Sequence, residues 1–78
     1  MFHPSYIKDE LYNLTEEYCV GSNIYRHEVI EAITNFFRTD YPDIQADWHT
    51  YIFDDMGVFY IAWIEMDKLH TESFAWIY

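Results

Sequence analysis

The sequence predicts an α+β fold, with two N-terminal amphipathic helices followed by a three-stranded antiparallel β-meander. Apolar residues recur at helical spacing up to about residue 39 and alternate with polar residues from residue 44. The chain has only two glycines and two prolines, and most of these lie where the pattern changes. No repeat or linker-like stretch divides the 78 residues, so we expect one domain spanning residues 1–78.

The first helix is predicted from Ser5 to about Val20. Pro4 and Ser5 form a plausible N-terminal cap, and Gly21 is a typical residue for ending a helix. Steps of four, three and four residues place one set of apolar side chains on a single stripe. This stripe consists of Ile7, Leu11, Leu14 and Tyr18.

The second helix is predicted to begin near Ser22 or Asn23, either of which can cap it, and to end near Thr39. The segment Asp40-Tyr41-Pro42-Asp43 then stops the helix, because proline restricts the residue before it. The apolar side of this helix carries Tyr25, Val29, Ala32, Ile33 and Phe36.

Three strands are predicted after Pro42. Residues 44–53 alternate, and Asp54-Asp55-Met56-Gly57 is expected to form a type I turn with Gly57 in the left-handed conformation. The return strand runs from Val58 to Met66 and is apolar at nearly every position. A polar connection over residues 67–71 leads to the third strand, Glu72 to Tyr78.

This pattern predicts a sheet with an uncovered aromatic face. A bulged hairpin loop would put residues of equal parity on the same face, which groups Tyr51, Phe53, Phe59 and Trp63. A four-residue loop would shift the pairing by one and exchange the residues of the return strand. Two helices can cover one face of such a sheet, so we expect the other face to pack against a partner or a second copy. The alternative is that the helices straddle the sheet or that the aromatic side chains cover one another.

The charge excludes some partners and favours others. Fourteen Asp and Glu against four Lys and Arg give a net charge of -10, the wrong sign for direct binding to nucleic acid or to an acidic membrane. A basic protein surface would attract such a chain. The carboxylates of the two predicted helices are the charged candidates for partner binding, and they are Asp9, Glu10, Glu16, Glu17, Glu28 and Glu31. They either imitate nucleic-acid phosphates or keep an aromatic-rich chain soluble.

No residue pattern predicts catalysis, a metal site or a cofactor, so we expect a protein that is not an enzyme. Cys19 is the only cysteine; it follows Glu16 and Glu17, which disfavour a reactive thiolate, and it is expected to be buried. His27 and Glu31 are spaced as two ligands on one helix face, but the sequence places no third ligand beside them.

The first hypothesis for function is therefore an interaction protein that inhibits or sequesters a basic, nucleic-acid-handling protein. In length, acidity and α+β build the chain resembles the small inhibitors of phages and mobile elements, such as anti-restriction, anti-CRISPR and DNA-mimic proteins. No residue motif carries this resemblance, so it transfers no functional residue. The second hypothesis is a structural or regulatory homodimer formed through the aromatic sheet face.

The sequence predicts a cytoplasmic protein. The first residues lack the features of a signal peptide, and no apolar stretch reaches membrane-spanning length. If the chain is encoded by a phage, the expected location is the cytoplasm of the host cell.

Overall fold

The computed structural model describes residues 5–21 and 24–77, and it confirms an α+β fold with two helices. The predicted three-stranded sheet is wrong, because the sheet has five strands. In chain order, with one 3₁₀ turn at Glu16–Tyr18 after α1, the elements are α1 (Tyr6–Thr15), β1 (Cys19–Gly21), β2 (Ile24–Tyr25), α2 (Val29–Asp40), β3 (Ala46–Ile52), β4 (Met56–Glu65) and β5 (Lys68–Ile77).

The two strands that the sequence did not predict extend the sheet beyond β5. The strand order is β1-β2-β5-β4-β3, with β2 parallel to β5 and every other neighbouring pair antiparallel. Tyr25, predicted to lie in the second helix, instead pairs with Trp76 and packs its ring 5.3 Å from that of Phe74. This tertiary pairing outweighs the helical spacing of the segment. The predicted caps Ser22 and Asn23 lie outside the described residues.

The first helix is shorter than predicted. Ser5 caps it, because its Oγ accepts a hydrogen bond from the Lys8 backbone N–H at 3.0 Å. Its regular turns end at the buried Thr15, whose hydroxyl donates to the Leu11 carbonyl at 2.9 Å. A threonine bonded back to the preceding turn weakens helix propagation, and a 3₁₀ turn follows.

The pairing of β3 with β4 matches neither predicted register, because Phe53 faces Met56 across a loop of only two residues, Asp54 and Asp55. The faces are nevertheless those of the four-residue-loop alternative, since residues of opposite parity lie together. Ile52 pairs with Gly57, and the Phe53 N–H closes the loop by donating to the Met56 carbonyl at 2.8 Å. Gly57 is also not left-handed, since none of the described glycines has a positive φ. Its lack of a side chain matters for another reason: a Cβ there would lie 2.1 Å from Cζ2 of Trp76, its neighbour on β5.

The turn between β4 and β5 is tighter than the predicted polar connection. Only Met66 and Asp67 lie outside the strands, with φ of 54° and 62°. Two consecutive residues in the left-handed region are typical of a type I′ hairpin turn, which matches the twist of the flanking strands. The connection predicted over residues 67–71 is therefore mostly strand.

The helices pack on one face of the sheet, which we call the closed face. It carries the odd-numbered residues of β4 and the even-numbered residues of β5. Burial of large aromatic side chains is the main source of stability that so small a chain can use. The core consists of Phe59, Ile61, Trp63, Phe74 and Trp76 from the sheet and Ile7, Leu11, Val29, Ile33 and Phe37 from the helices.

Candidate interaction face

The opposite side of the sheet, the open face, is almost free of charge. In a chain with a net charge of -10, Asp47 is the only Asp, Glu, Lys or Arg that the three long strands of the described structure place on this face. The pleat assigns to this face Asp47, His49 and Tyr51 of β3, Met56, Val58, Tyr60, Ala62 and Ile64 of β4, and Leu69, Thr71, Ser73, Ala75 and Ile77 of β5.

Large apolar side chains of the open face are exposed to solvent. Tyr51 and Tyr60 are each 49% exposed, Ile77 is 53% exposed and Leu69 is 67% exposed. An antiparallel sheet that has one face in water usually carries polar side chains there, whereas most positions of this face are apolar or aromatic. An exposed, continuous apolar surface of this kind is typical of an interaction site.

Four aromatic rings and one valine line a shallow groove of about 370 Å³ at the β3–β4 side of the open face. We call it the aromatic groove, and its lining residues are His49, Tyr51, Phe53, Val58 and Tyr60. The rings of Tyr51 and Tyr60 lie 5.5 Å apart at 85°, and those of His49 and Tyr51 lie 4.5 Å apart. A neighbouring hollow of about 270 Å³ shares two of these residues and includes Asp47.

The structure separates the four aromatic residues that were predicted to share one face. Tyr51 and Phe53 line the aromatic groove, whereas Phe59 and Trp63 are buried in the core and cannot meet a partner there. The cause is the hairpin register, because a shift of one residue moves every side chain of a strand to the other face. Sequence reasoning missed Tyr60, although the four-residue-loop alternative would have placed it beside Tyr51.

The six carboxylates predicted to bind a partner are all exposed, but they lie away from the open face. Asp9 and Glu10 are on α1, Glu16 and Glu17 on the 3₁₀ turn, and Glu28 and Glu31 at the start of α2. They therefore belong to the helical layer, on the other side of the sheet from the aromatic groove.

Two of these carboxylates lie against a side chain of the same chain, and in one case Glu28 Oε2 is 3.7 Å from His27 Nδ1. Glu10 accepts a hydrogen bond of 2.9 Å from the hydroxyl of Tyr41. This bond to a carboxylate raises the pKa of Tyr41 above its usual value. The remaining carboxylates of the helical layer give it a negative outer surface.

A second set of carboxylates surrounds the open face, and we call it the acidic rim. Asp54 and Asp55 lie in the β3–β4 loop next to the aromatic groove, and Asp67 lies in the β4–β5 turn. Asp47, near the start of β3, completes the set. All four residues are exposed.

The cations of the chain lie on the helical side. Lys8 approaches Glu72 at 4.0 Å, Arg26 lies over the ring of Tyr18, and Arg38 lies over the ring of Trp48. Lys68 lies opposite Glu65 in the sheet, and the pleat places both residues on the closed face. The acidic rim is thus not neutralised by a Lys or Arg of the open face.

Glu65 is a buried acid, but its oxygens are occupied. Oε1 accepts from the Ser5 hydroxyl at 2.6 Å and from Nε1 of Trp63 at 3.0 Å, while Oε2 accepts from the backbone N–H of Tyr6 at 2.9 Å. Burial acts to raise the pKa of Glu65, but these hydrogen bonds outweigh it and hold the pKa below its usual value. The carboxylate fixes the first turn of α1 onto the sheet, which is a structural role.

The other reactive residues form no recognisable centre. Cys19 is exposed, so the prediction that it is buried is wrong; it lies at the edge of the sheet, in β1, where only β2 flanks it. Within residues 5–21 and 24–77, no three His, Cys, Asp or Glu side chains are grouped as metal ligands would be. Neither of the described helices has the length and apolar character needed to cross a membrane.

Comparisons of the chain with protein-family models, with curated proteins and with solved structures find no match. The chain's own surfaces are therefore the guide to its function.

Proposed function

We propose that this chain is a small acidic interaction protein that binds a larger protein with a basic surface and blocks it. The observation that supports this most strongly is the open face, an uncovered apolar surface bordered by the acidic rim. Protein interfaces commonly combine an apolar centre with a polar border that excludes water. Here the border is negative, so the complementary partner has an apolar patch bordered by Lys and Arg.

The sign and size of the charge favour a nucleic-acid-handling partner. Proteins that hold nucleic acid carry clusters of Lys and Arg for the phosphates, and a ligand with a net charge of -10 is attracted to the same surface. Occupying that surface would inhibit or sequester the partner without any catalysis by this chain. The carboxylates of the helical layer strengthen the attraction at long range, whereas the open face makes the contact.

Affinity capture with two matched variants tests this proposal. Tyr60→Glu places a charge on the open face, and Tyr6→Glu makes the same change at a residue of α1 that is 64% exposed. We expect the wild type and Tyr6→Glu to retain a basic protein from cells carrying this gene, and Tyr60→Glu to lose it. Raising the salt concentration should weaken the retained complex, because exposed charges are screened.

Capture of only neutral or acidic proteins would contradict the proposal, as would equal loss of binding in the two variants. A combined charge-reversal variant shows which carboxylates attract the partner. Reversal of Asp9, Glu10, Glu16, Glu17, Glu28 and Glu31 to Lys should abolish binding if the helical carboxylates imitate phosphates. If affinity is unchanged, the helical layer serves solubility and the acidic rim supplies the attraction.

The second candidate function, a homodimer, is favoured by a separate observation. β3 is an edge strand that pairs only with β4 among the described strands, and it contains no Lys, Pro or bulge to discourage further pairing. A dimer formed at this edge would have twice the 9.6 kDa mass of one chain in sedimentation equilibrium, and Thr50→Lys, at an exposed residue of β3, would return it to the monomer mass. Phe59 and Trp63, which the sequence predicted on the face that meets a second copy, are core residues and are unsuitable for this test.

A further inference from the structure

We propose that the aromatic groove is a binding site for an arginine side chain of the partner. The inference rests on the proposed function and gives the open face a specific contact. Its basis is the position of four aromatic side chains next to carboxylates of the acidic rim.

The rings offer surfaces that suit a planar cation. Tyr51 and Tyr60 meet almost at right angles, so they form two walls of the groove, and Phe53 and His49 extend the surface along β3. A guanidinium group stacks on the face of one ring while its apolar stem contacts another. The same preference is visible within this chain, where Arg26 lies 5.5 Å from the ring centre of Tyr18 and Arg38 lies 5.9 Å from that of Trp48.

Two carboxylates of the acidic rim are candidate acceptors for the guanidinium donors. Asp54 follows Phe53 directly in the loop, and Asp47 lines the neighbouring hollow that shares His49 and Tyr60 with the groove. Carboxylates pair with arginine through two parallel hydrogen bonds, and such charge-assisted bonds are stronger than neutral ones. An anionic group would be repelled at this position, and an apolar group would leave these carboxylates without a partner.

A second copy of this chain is a poor source of the arginine. Its two arginines are already engaged, since Arg26 also donates to the Glu17 carbonyl at 2.8 Å and Arg38 lies over Trp48. Both belong to the helical side of the molecule, away from the open face. The groove therefore fits an arginine that is supplied by a different, basic protein.

Titration with two blocked pentapeptides tests the site by NMR. One peptide has a single central arginine between glycines, and the other has citrulline, which keeps the shape and loses the charge. We expect the arginine peptide to give saturable shifts at Tyr51, Phe53 and Tyr60, and the citrulline peptide to bind about fivefold more weakly. Equal affinity of the two peptides, or no saturable shift at the groove, would overturn the proposal.

Variants locate the contact and control for general attraction to an acidic protein. Tyr51→Leu keeps an apolar side chain without the ring and should weaken the arginine peptide about threefold, whereas Tyr6→Leu on α1 should leave it unchanged. Asp54→Asn together with Asp55→Asn should weaken it, and Glu16→Gln together with Glu17→Gln should have little effect. Shifts that concentrate on the helical carboxylates instead would overturn the site.

A lysine peptide distinguishes arginine from cations in general. If the lysine peptide binds as tightly as the arginine peptide, the assignment to arginine is overturned.

These titrations need no partner protein, so their outcome is separate from the capture experiment. If the peptides fail while Tyr60→Glu still abolishes capture of a basic protein, only the arginine site is wrong. If the peptides bind and no basic protein is captured, the groove stands and the proposed function fails.

Discussion

Adjacent residues of one strand show how differently the two faces of this sheet are used. On β4, Phe59 is fully buried beneath the helices, while Tyr60 beside it is 49% exposed on the open face. Both are large aromatic residues, so the residue type does not reveal which face is covered. β4 is therefore apolar on both sides, one side for folding and the other, as we propose, for contact with another molecule.

The closed face accounts for the stability of the chain, and the open face contributes little to it. Removing a buried aromatic side chain costs the free energy of its burial and leaves a cavity, whereas an exposed side chain loses little when it is truncated. If the two faces differ in this way, substitutions on them should separate stability from binding.

The largest expected difference is between neighbouring truncations on β4. Phe59→Ala should lower the free energy of unfolding by about 4 kcal/mol, because it empties part of the core. Tyr60→Ala should change it by less than about 1 kcal/mol, because 49% of the residue is already exposed and its removal leaves no enclosed cavity. Urea denaturation followed by circular dichroism measures both values. Similar losses for the two variants would mean that the open face is also part of the folded core.

The second prediction compares the two glycines. Gly57→Ala should destabilise the chain by about 3 kcal/mol, since the added Cβ would overlap the Trp76 ring on the closed face. Gly21→Ala is the matched control, because nothing lies within 4 Å of a Cβ built there and its φ is not positive. Thermal unfolding of both variants checks this. An unaffected melting temperature for Gly57→Ala would show that Trp76 can move aside at no cost.

The third prediction concerns Glu65, the last closed-face residue of β4. Glu65→Gln should lower stability by about 2 kcal/mol near neutral pH, because it removes charge-assisted hydrogen bonds. The pKa of Glu65 is lowered in the folded chain, so its contribution is present above the pKa of the unfolded carboxyl, about 4.3, and is lost as the pH falls through the folded value. The gap in unfolding free energy between wild type and variant should therefore narrow in acid.

Denaturation at a series of pH values between 7 and 3 measures that gap. Glu16→Gln removes a charge from an exposed residue of the 3₁₀ turn and serves as the control. A difference between wild type and Glu65→Gln that is constant over this range would contradict the assignment.

The smallest effect is expected at the turn that sets the register of β4 and β5. Met66 and Asp67 both have positive φ, which favours Asn and Gly at these positions. Met66→Asn with Asp67→Gly should raise the free energy of unfolding by about 1 kcal/mol, because it relieves the side-chain strain at positive φ. Chemical denaturation measures the gain. A loss of stability would indicate that the turn is not type I′, and the assignment of residues to the two faces would need revision.

The sequence predicts the main layers of the fold well. Ile7 and Leu11 of the first stripe and Val29 and Ile33 of the second are all core residues, as their helical spacing indicates. Ser5 caps the first helix as predicted. These features depend on local spacing and capping chemistry, which single sequences carry directly.

Features that depend on distant pairing could not be predicted in the same way. β1 and β2 have only three and two residues, and they exist because β5 offers an edge to pair with. The register of β3 and β4 was ambiguous because β4 is apolar on both sides, so alternation did not distinguish the closed face from the open face. For the candidate site, this ambiguity placed Tyr51 and Phe53 correctly on an exposed surface but added two core residues to them.

The link between Ser5 and Glu65 has a consequence for how the protein is made. The first turn of α1 is anchored by a side chain sixty positions later in the chain, so this anchor can form only once Glu65 has left the ribosome. A short amphipathic helix is marginal in water by itself. We therefore expect α1 to become stable only when β4 is available, in one cooperative step with the sheet.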